Sequence, residues 1–261
     1  MKQIIDAHIH LDQYEPKSWK DIVEKDPSLQ ALISVSSTLQ SCQLNQKISQ
    51  LYSCVKPAYG FHPEQMLPSS NELAELFAWI DRNNEEMIAV GEVGLPYYLS
   101  QTYTLSLDPY LELLEAFIIH SKKWGKPLIL HAVYEDAEIV CELLEKHSVS
   151  KAHFHWFKGA KKTVERMKNN GYYISVTPDI VYKPKIQALA MEYPLDYLMV
   201  ETDGPWPFEG PFQNQITVPS MIHQSVEEIA RLKGVSGTEA YDCLYQNTSC
   251  FYNLSTQKAF P

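Results

Sequence analysis

The chain has 261 residues, 45 % of them apolar, and a formal net charge of −10. That length suits one large barrel or two modest domains, and the negative charge gives no general attraction for phosphate polymers, so a nucleic-acid partner must be held by local groups or by a metal. No apolar run reaches the roughly 18 residues of a membrane span, and Met1-Lys2 leads straight into a strand containing Asp6, which speaks against a secretory signal of the usual design.

The first strand, Gln3-Ile4-Ile5, closes on Asp6-Ala7-His8-Ile9-His10. Residues two apart on an extended chain share a face, so both imidazoles can reach one cation. Seven more short apolar or β-branched runs follow: Leu32–Val35, Val55–Tyr59, Met87–Val90, Leu128–Leu130, Ala152–Phe154, Tyr173–Val176 and Leu198–Val200. Between them lie stretches of helical period, such as Leu73, Leu76, Phe77 and Ile80, or Leu111, Leu114, Glu115 and Ile118. No linker or repeat interrupts the alternation, and no G-x-G-x-x-G follows a strand. The pattern predicts a single (β/α)₈ TIM barrel domain over residues 1–261, with its active site at the C-terminal ends of the strands.

What stands at those ends is informative. Strand one ends in His8 and His10, strand three in His62-Pro63-Glu64, strand four in Gly91-Glu92-Val93-Gly94, strand five in His131, strand six in His155, and strand eight in Glu201-Thr202-Asp203. Taken singly, His62, His131 and His155 read as hydrogen-bonded core histidines and Asp203 as a turn residue before Gly204-Pro205. Glu92 is costly to bury without a charged partner or a metal. Together at one mouth they form a nitrogen and oxygen ligand cluster suited to a pair of divalent ions such as zinc, manganese or magnesium. His153 and His155 form a second H-x-H; His155 lies nearer the mouth and is taken as the ligand.

Trp156-Phe157-Lys158-Gly159 turns the chain into a helix at Ala160, and Lys158 there is either a solvated lysine or an anion contact. The proline-rich segment from Pro205 to Phe212 predicts a rigid aromatic loop beside Asp203, with Trp206 available to stack on a ring or base. A helix over Val218–Lys233 and the segment Thr238–Phe251 close the outside. Five cysteines, odd in number and without C-x-x-C spacing, read as reduced thiols of a cytoplasmic protein.

In order, Asp6-Ala7-His8-Ile9-His10, Gly60-Phe61-His62-Pro63, Gly91-Glu92-Val93-Gly94-Leu95, His131, His155-Trp156-Phe157-Lys158-Gly159, Glu201-Thr202-Asp203-Gly204-Pro205 and Asn247 to Phe251 resemble the motif series of the TatD family of metal-dependent hydrolases. The resemblance covers essentially the whole chain. It implies an amidohydrolase-like barrel and a deoxyribonuclease or related phosphoesterase carrying two divalent metal ions, zinc, manganese, magnesium or nickel. It also implies that His8, His10, Glu92 and Asp203 hold the first ion. Glu92, His131 and His155 hold the second, Glu92 bridging, while His62 faces the substrate. A divalent cation lowers the pKa of a water it holds, and Asp203 is then placed to orient that water or accept its proton. The expected catalytic residues are Asp203, Glu92 and His62, with His62, Lys158 and Trp206 touching substrate. The substrate is DNA or a smaller phosphoester, no membrane is involved, and a monomer is expected.

The chain departs from the family pattern in two places. Pro96 stands where an aspartate is usual, and Val133 where an arginine is usual. Losing both members of a facing pair preserves a fold better than losing one, yet it also removes a guanidinium able to grip phosphate. This keeps two alternatives open: an amide or lactone hydrolase of the wider amidohydrolase class, with Glu92 in the place of that class's carboxylated lysine, or a non-catalytic metal-binding barrel serving as a partner-binding protein.

Overall fold

The computed structural model describes residues 2–254; Met1 and residues 255–261, which the single-domain expectation includes, lie outside the described residues. Eight parallel strands form one sheet in chain order, and the ends of that sheet approach each other to make a nearly closed barrel. The strands are β1 (Ile4–Ile9), β2 (Leu29–Ser34), β3 (Val55–Tyr59), β4 (Ala89–Gly94), β5 (Leu128–His131), β6 (Ala152–Phe154), β7 (Tyr173–Val176) and β8 (Leu198–Val200). The α-helices are α1 (Trp19–Glu24), α2 (Leu39–Leu51), α3 (Ser70–Asn83), α4 (Tyr97–Thr102), α5 (Asp108–Trp124), α6 (Glu135–Lys146), α7 (Lys161–Asn169), α8 (Pro184–Glu192), α9 (Ile222–Lys233) and α10 (Gly237–Phe251).

Parallel strands buried on both faces need continuous apolar runs, and alternation along each strand sorts their side chains into two layers. Leu128, Leu130, Phe154, Ile174, Leu198 and Val200 point outward and join the helices in the larger core. Ala31, Ile33, Ala58, Ala89, Ile129 and Met199 belong to a second apolar cluster, inside the barrel, which Phe251 and Tyr252 at the end of α10 complete. Small residues dominate this inner layer on β2, β3 and β4, leaving room for the polar groups stacked above it.

Several boundaries differ from the sequence expectation. β1 continues through His8, and β4 runs to Gly94, so Glu92 sits within its strand instead of after it. An apolar run does not mark where a strand buried among polar groups ends. The helix expected from Val218 starts at Ile222, because Pro219 opens a 3-10 turn over Pro219–Met221. Where the sequence is explicit, local chemistry agrees: Ser69 and Glu72 form a capping box on α3, and Gly125 and Gly234 end α5 and α9 in the left-handed conformation.

The barrel seam between β8 and β1 is closed by hydrogen bonds just above the strands. Asp203 N donates to His8 O at 2.9 Å, and His10 N to Gly204 O at 2.8 Å. The buried Asp6 carboxylate accepts from Thr202 N at 2.9 Å and from Thr202 Oγ1 at 2.5 Å. Burial pushes the Asp6 carboxyl up to about 7, while the Thr202 bonds pull the other way.

Candidate metal centre

The strand ends bring His8, His10, His62, Glu92, His131, His155 and Asp203 into one cluster at the mouth. Glu92, fully buried on β4, is its centre, and its two oxygens face different groups. Oε2 lies 3.2 Å from His8 Nε2 and 3.3 Å from His10 Nε2. Oε1 lies 2.9 Å from His131 Nδ1, 2.7 Å from His155 Nε2 and 3.3 Å from His62 Nε2. Asp203 Oδ1 completes the first group, 3.4 Å from His8 Nε2 and 3.5 Å from His10 Nε2. His131 Nδ1 and His155 Nε2 are 3.0 Å apart, and the rings of His8 and His155 stack at 3.9 Å.

These contacts leave polar atoms unserved. His8 Nε2 and Glu92 Oε2 are buried without a hydrogen-bond partner, a cost of about 1–3 kcal/mol each in a native interior. Burial opposes charge on His8, but Glu92 and Asp203 outweigh it and hold the imidazole well above its ordinary range. Burial likewise opposes charge on Glu92, yet His155, His62 and His8 hold its carboxyl well below its usual value. A buried carboxylate ringed by imidazoles calls for positive charge. A divalent cation supplies that charge while the imidazoles stay neutral, each with a lone pair to offer. The orphaned nitrogen and oxygen face each other across the space such an ion fills, so the donor set fits a metal. His8, His10 and Glu92 offer ligand atoms within 4.8 Å of one another, as do His62, Glu92 and His131.

His62 differs from its neighbours. Its Nδ1 accepts from Glu64 N at 3.1 Å, which places the proton of the neutral ring on Nε2, facing the cluster. Burial, the largest influence, lowers its pKa, so the ring is a neutral donor. Asp203 has φ 50° and Trp156 φ 38°, left-handed values that a non-glycine residue adopts only when its surroundings hold it there. The seam hydrogen bond fixes the first. For the second, Trp156 N donates to Glu201 Oε1 at 2.7 Å and Trp156 Nε1 to Asp179 Oδ2 at 3.0 Å.

A cavity of about 1070 Å³ opens above the cluster. Lys158 and Trp206 both line it, and so do Tyr98, Trp156, Tyr182 and Lys183. Lys158 Nζ stands 3.7 Å over the Trp156 ring, and burial lowers its pKa to about 8. Trp206 is half exposed and packs edge-on to Trp156 at 5.5 Å.

His153 shares a face with His155 but lies one layer deeper. Its ring nitrogens are taken by Tyr252 OH and Ser175 Oγ, each at 2.6 Å, so it has no lone pair directed at the mouth. Ser175 Oγ in turn donates to Glu201 Oε2 at 2.5 Å. Glu201, together with Glu64 beside His131, was not singled out from the sequence. The i, i+2 spacing of Met199, Glu201 and Asp203 carried the signal for Glu201. Glu64 stood at the end of strand three, but nothing local pointed to its role, since its partners lie 34, 35 and 67 residues away.

The sequence profile of TatD related DNases matches residues 5–253. A protein of Haemophilus influenzae described as an uncharacterized metal-dependent hydrolase is 39% identical over 254 residues, 96% of this chain and 100% of the relative. Human deoxyribonuclease TATDN3 is 26% identical over 256 residues, spanning 94% of this chain and 92% of its own. Among solved structures, the TatD homolog YJJV of Escherichia coli K12 superposes with a TM-score of 0.85 at 24% identity, covering 97% of this chain and 100% of that one, which shows the same fold. With a barrel whose strand ends gather imidazoles around a buried glutamate, and with these matches over nearly its full length, the chain belongs to the TatD related DNase family of metal-dependent hydrolases.

Proposed function

We propose that this protein hydrolyses a phosphodiester, in DNA or in a smaller phosphoester, with two divalent ions divided by Glu92. The observation that carries this reading is the split of the Glu92 carboxylate, one oxygen to His8 and His10 and the other to His131 and His155. In this reading His8, His10, Glu92 and Asp203 hold one ion and Glu92, His131 and His155 the other. Zinc, manganese, magnesium and nickel all accept such donors. Ions bound there supply an acidified water near neutral pH and positive charge beside the phosphoryl oxygens.

The protein's own groups do the rest. Asp203 presents its carboxylate to the cavity from a backbone clamped at the seam, and accepts the proton of the attacking water. His62 Nε2–H donates to a substrate oxygen, its tautomer fixed by Glu64 N. Lys158, held over Trp156, meets a phosphate charge, and Trp206 at the cavity rim stacks on the attached ring. Lys158 and Lys183 are the basic residues of the cavity lining. That scarcity, with Val133 where arginine is usual in the family, favours a small phosphoester or a strand end over a long duplex.

We further take the chain to act as one catalytic domain and as a monomer. No helix among the described residues is long and apolar enough to cross a membrane, and all five cysteines are free thiols. Free thiols support placement in the reducing cytoplasm.

The test is turnover of bis(p-nitrophenyl) phosphate and of short single-stranded DNA with added Mn²⁺, each assayed again with excess chelator. Metal-dependent release of product supports the reading. Hydrolysis of lactones or amides with no phosphodiester turnover moves the reaction to the wider amidohydrolase class. A protein that binds Mn²⁺ tightly and turns over none of these is a binding barrel.

A further inference from the structure

Glu64 is the carboxylate closest to the cluster that the reading above leaves without a task. Its Oε1 lies 3.0 Å from His131 Nε2, at the edge of the ring opposite Nδ1, which faces Glu92 Oε1 at 2.9 Å. The same carboxylate accepts from Tyr98 N at 2.9 Å and from Leu99 N at 2.6 Å. Those are the second and third residues of α4, whose N-cap is Pro96, a residue with no side chain able to accept. The first amides of a helix need outside acceptors, and the N-cap side chain is the usual source. Here the loop after β3 supplies what Pro96 lacks. α4 carries Tyr98, which lines the cavity with its ring 6.2 Å from that of His131.

We propose that Glu64 is a positioning residue that orients His131 toward the metal centre and, through the same carboxylate, seats α4 as the wall of the cavity. The proposal rests on the cluster being a metal centre. By accepting from Nε2–H, Glu64 fixes the tautomer in which the Nδ1 lone pair faces Glu92 and His155. With Oε1 shared by His131 and Tyr98 N and Oε2 held by Leu99 N, Glu64 acts through His131 and does not itself ligate. Site and wall are thereby coupled: a displacement of α4 reaches the His131 ring through one side chain.

The coupling is tested on the full chain with three readouts. These are Mn²⁺ affinity by calorimetry, the visible spectrum of the Co²⁺-loaded protein, and amide hydrogen exchange over residues 97–102. Glu64→Ala is expected to weaken Mn²⁺ binding about 10–100-fold, alter the Co²⁺ bands and speed exchange in α4. Glu64→Gln, with one acceptor oxygen left, is expected to fall between wild type and Glu64→Ala in all three, and it carries the comparison should Glu64→Ala fail to fold. Wild-type Mn²⁺ affinity and Co²⁺ spectrum in Glu64→Ala overturn the proposal. So does weakened metal uptake with α4 exchange unchanged, since that severs the coupling. A wild-type protein that takes up neither ion overturns this proposal and the metal reading together. One that binds both but cleaves no phosphoester overturns the reaction alone.

Discussion

Asp203 and Lys158 illustrate how far single residues could be read before their surroundings were seen. Asp203 was recognisable as part of a Glu-Thr-Asp-Gly-Pro series, but its left-handed backbone and its clamp to His8 O belong to the fold. Asp203→Asn keeps the size and removes the charge, so turnover is expected to fall by at least about 10²–10⁴-fold with a near-native circular dichroism spectrum; retained turnover refutes the proton-acceptor role. Lys158 was ambiguous in sequence between a solvated lysine and an anion contact. Its place over Trp156 favours contact, and burial holds its pKa near 8. A lysine is cationic below its pKa, so KM for a phosphoester is expected to rise as pH climbs through about 8, and Lys158→Gln to flatten that rise. A KM that stays level across this range in the wild type excludes Lys158 from phosphate binding.

Among the elements, strands announced themselves and their polar ends did not. Ala152–Phe154, Tyr173–Val176 and Leu198–Val200 coincide with the runs read from the sequence. β4 was read short because its last residues are glycine and glutamate, which carry no apolar signal. Gly94 pairs with His131 on β5, and a Cβ there would strike the His131 backbone carbonyl. Gly94→Ala is expected to cost about 1–3 kcal/mol in a denaturant titration and to weaken metal uptake, because it displaces His131. Wild-type stability in this variant would show that the approach can relax.

The pairing of α6 with α7 depends on charge. Arg166 grips both oxygens of Glu145, at 2.7 and 2.6 Å, and Glu138 at 2.8 Å. The Arg166 bonds hold the Glu145 carboxyl down to about 2, so this clasp contributes fully above the ordinary glutamate range and is lost as pH falls toward 2. Glu145 is 38% exposed, and solvent screening limits the effect to about 1 kcal/mol. Arg166→Ala is expected to lower stability by that amount at pH 7, and its deficit to vanish on acidification to about pH 2. A deficit independent of pH assigns the effect to lost packing instead.

For the whole molecule, the alternation of strand and helix made the barrel legible, because each β-α unit is short and locally patterned. The inner layer was not legible: which residues of a strand meet across the barrel depends on stagger, and no local pattern encodes it. In the proposed reading, ligands held by five of the eight strands make the ions a cross-brace of the barrel as well as part of its chemistry. Metal at 100 times its dissociation constant adds about 2.7 kcal/mol, so stripping it with chelator is expected to lower Tm by roughly 5–10 °C, reversibly on adding Mn²⁺ back. An unchanged Tm means that the apo cluster is already satisfied by protons.

The seam gives the molecule a timetable. His8 and His10 emerge early from the ribosome and Asp203 late, and the two ends of the sheet join through His8 O and Asp203 N. Until some two hundred residues have been made, the opening histidines can face Glu92 but lack Asp203, and the cluster is incomplete. The cluster is therefore completed with closure, in the same event that finishes the cylinder.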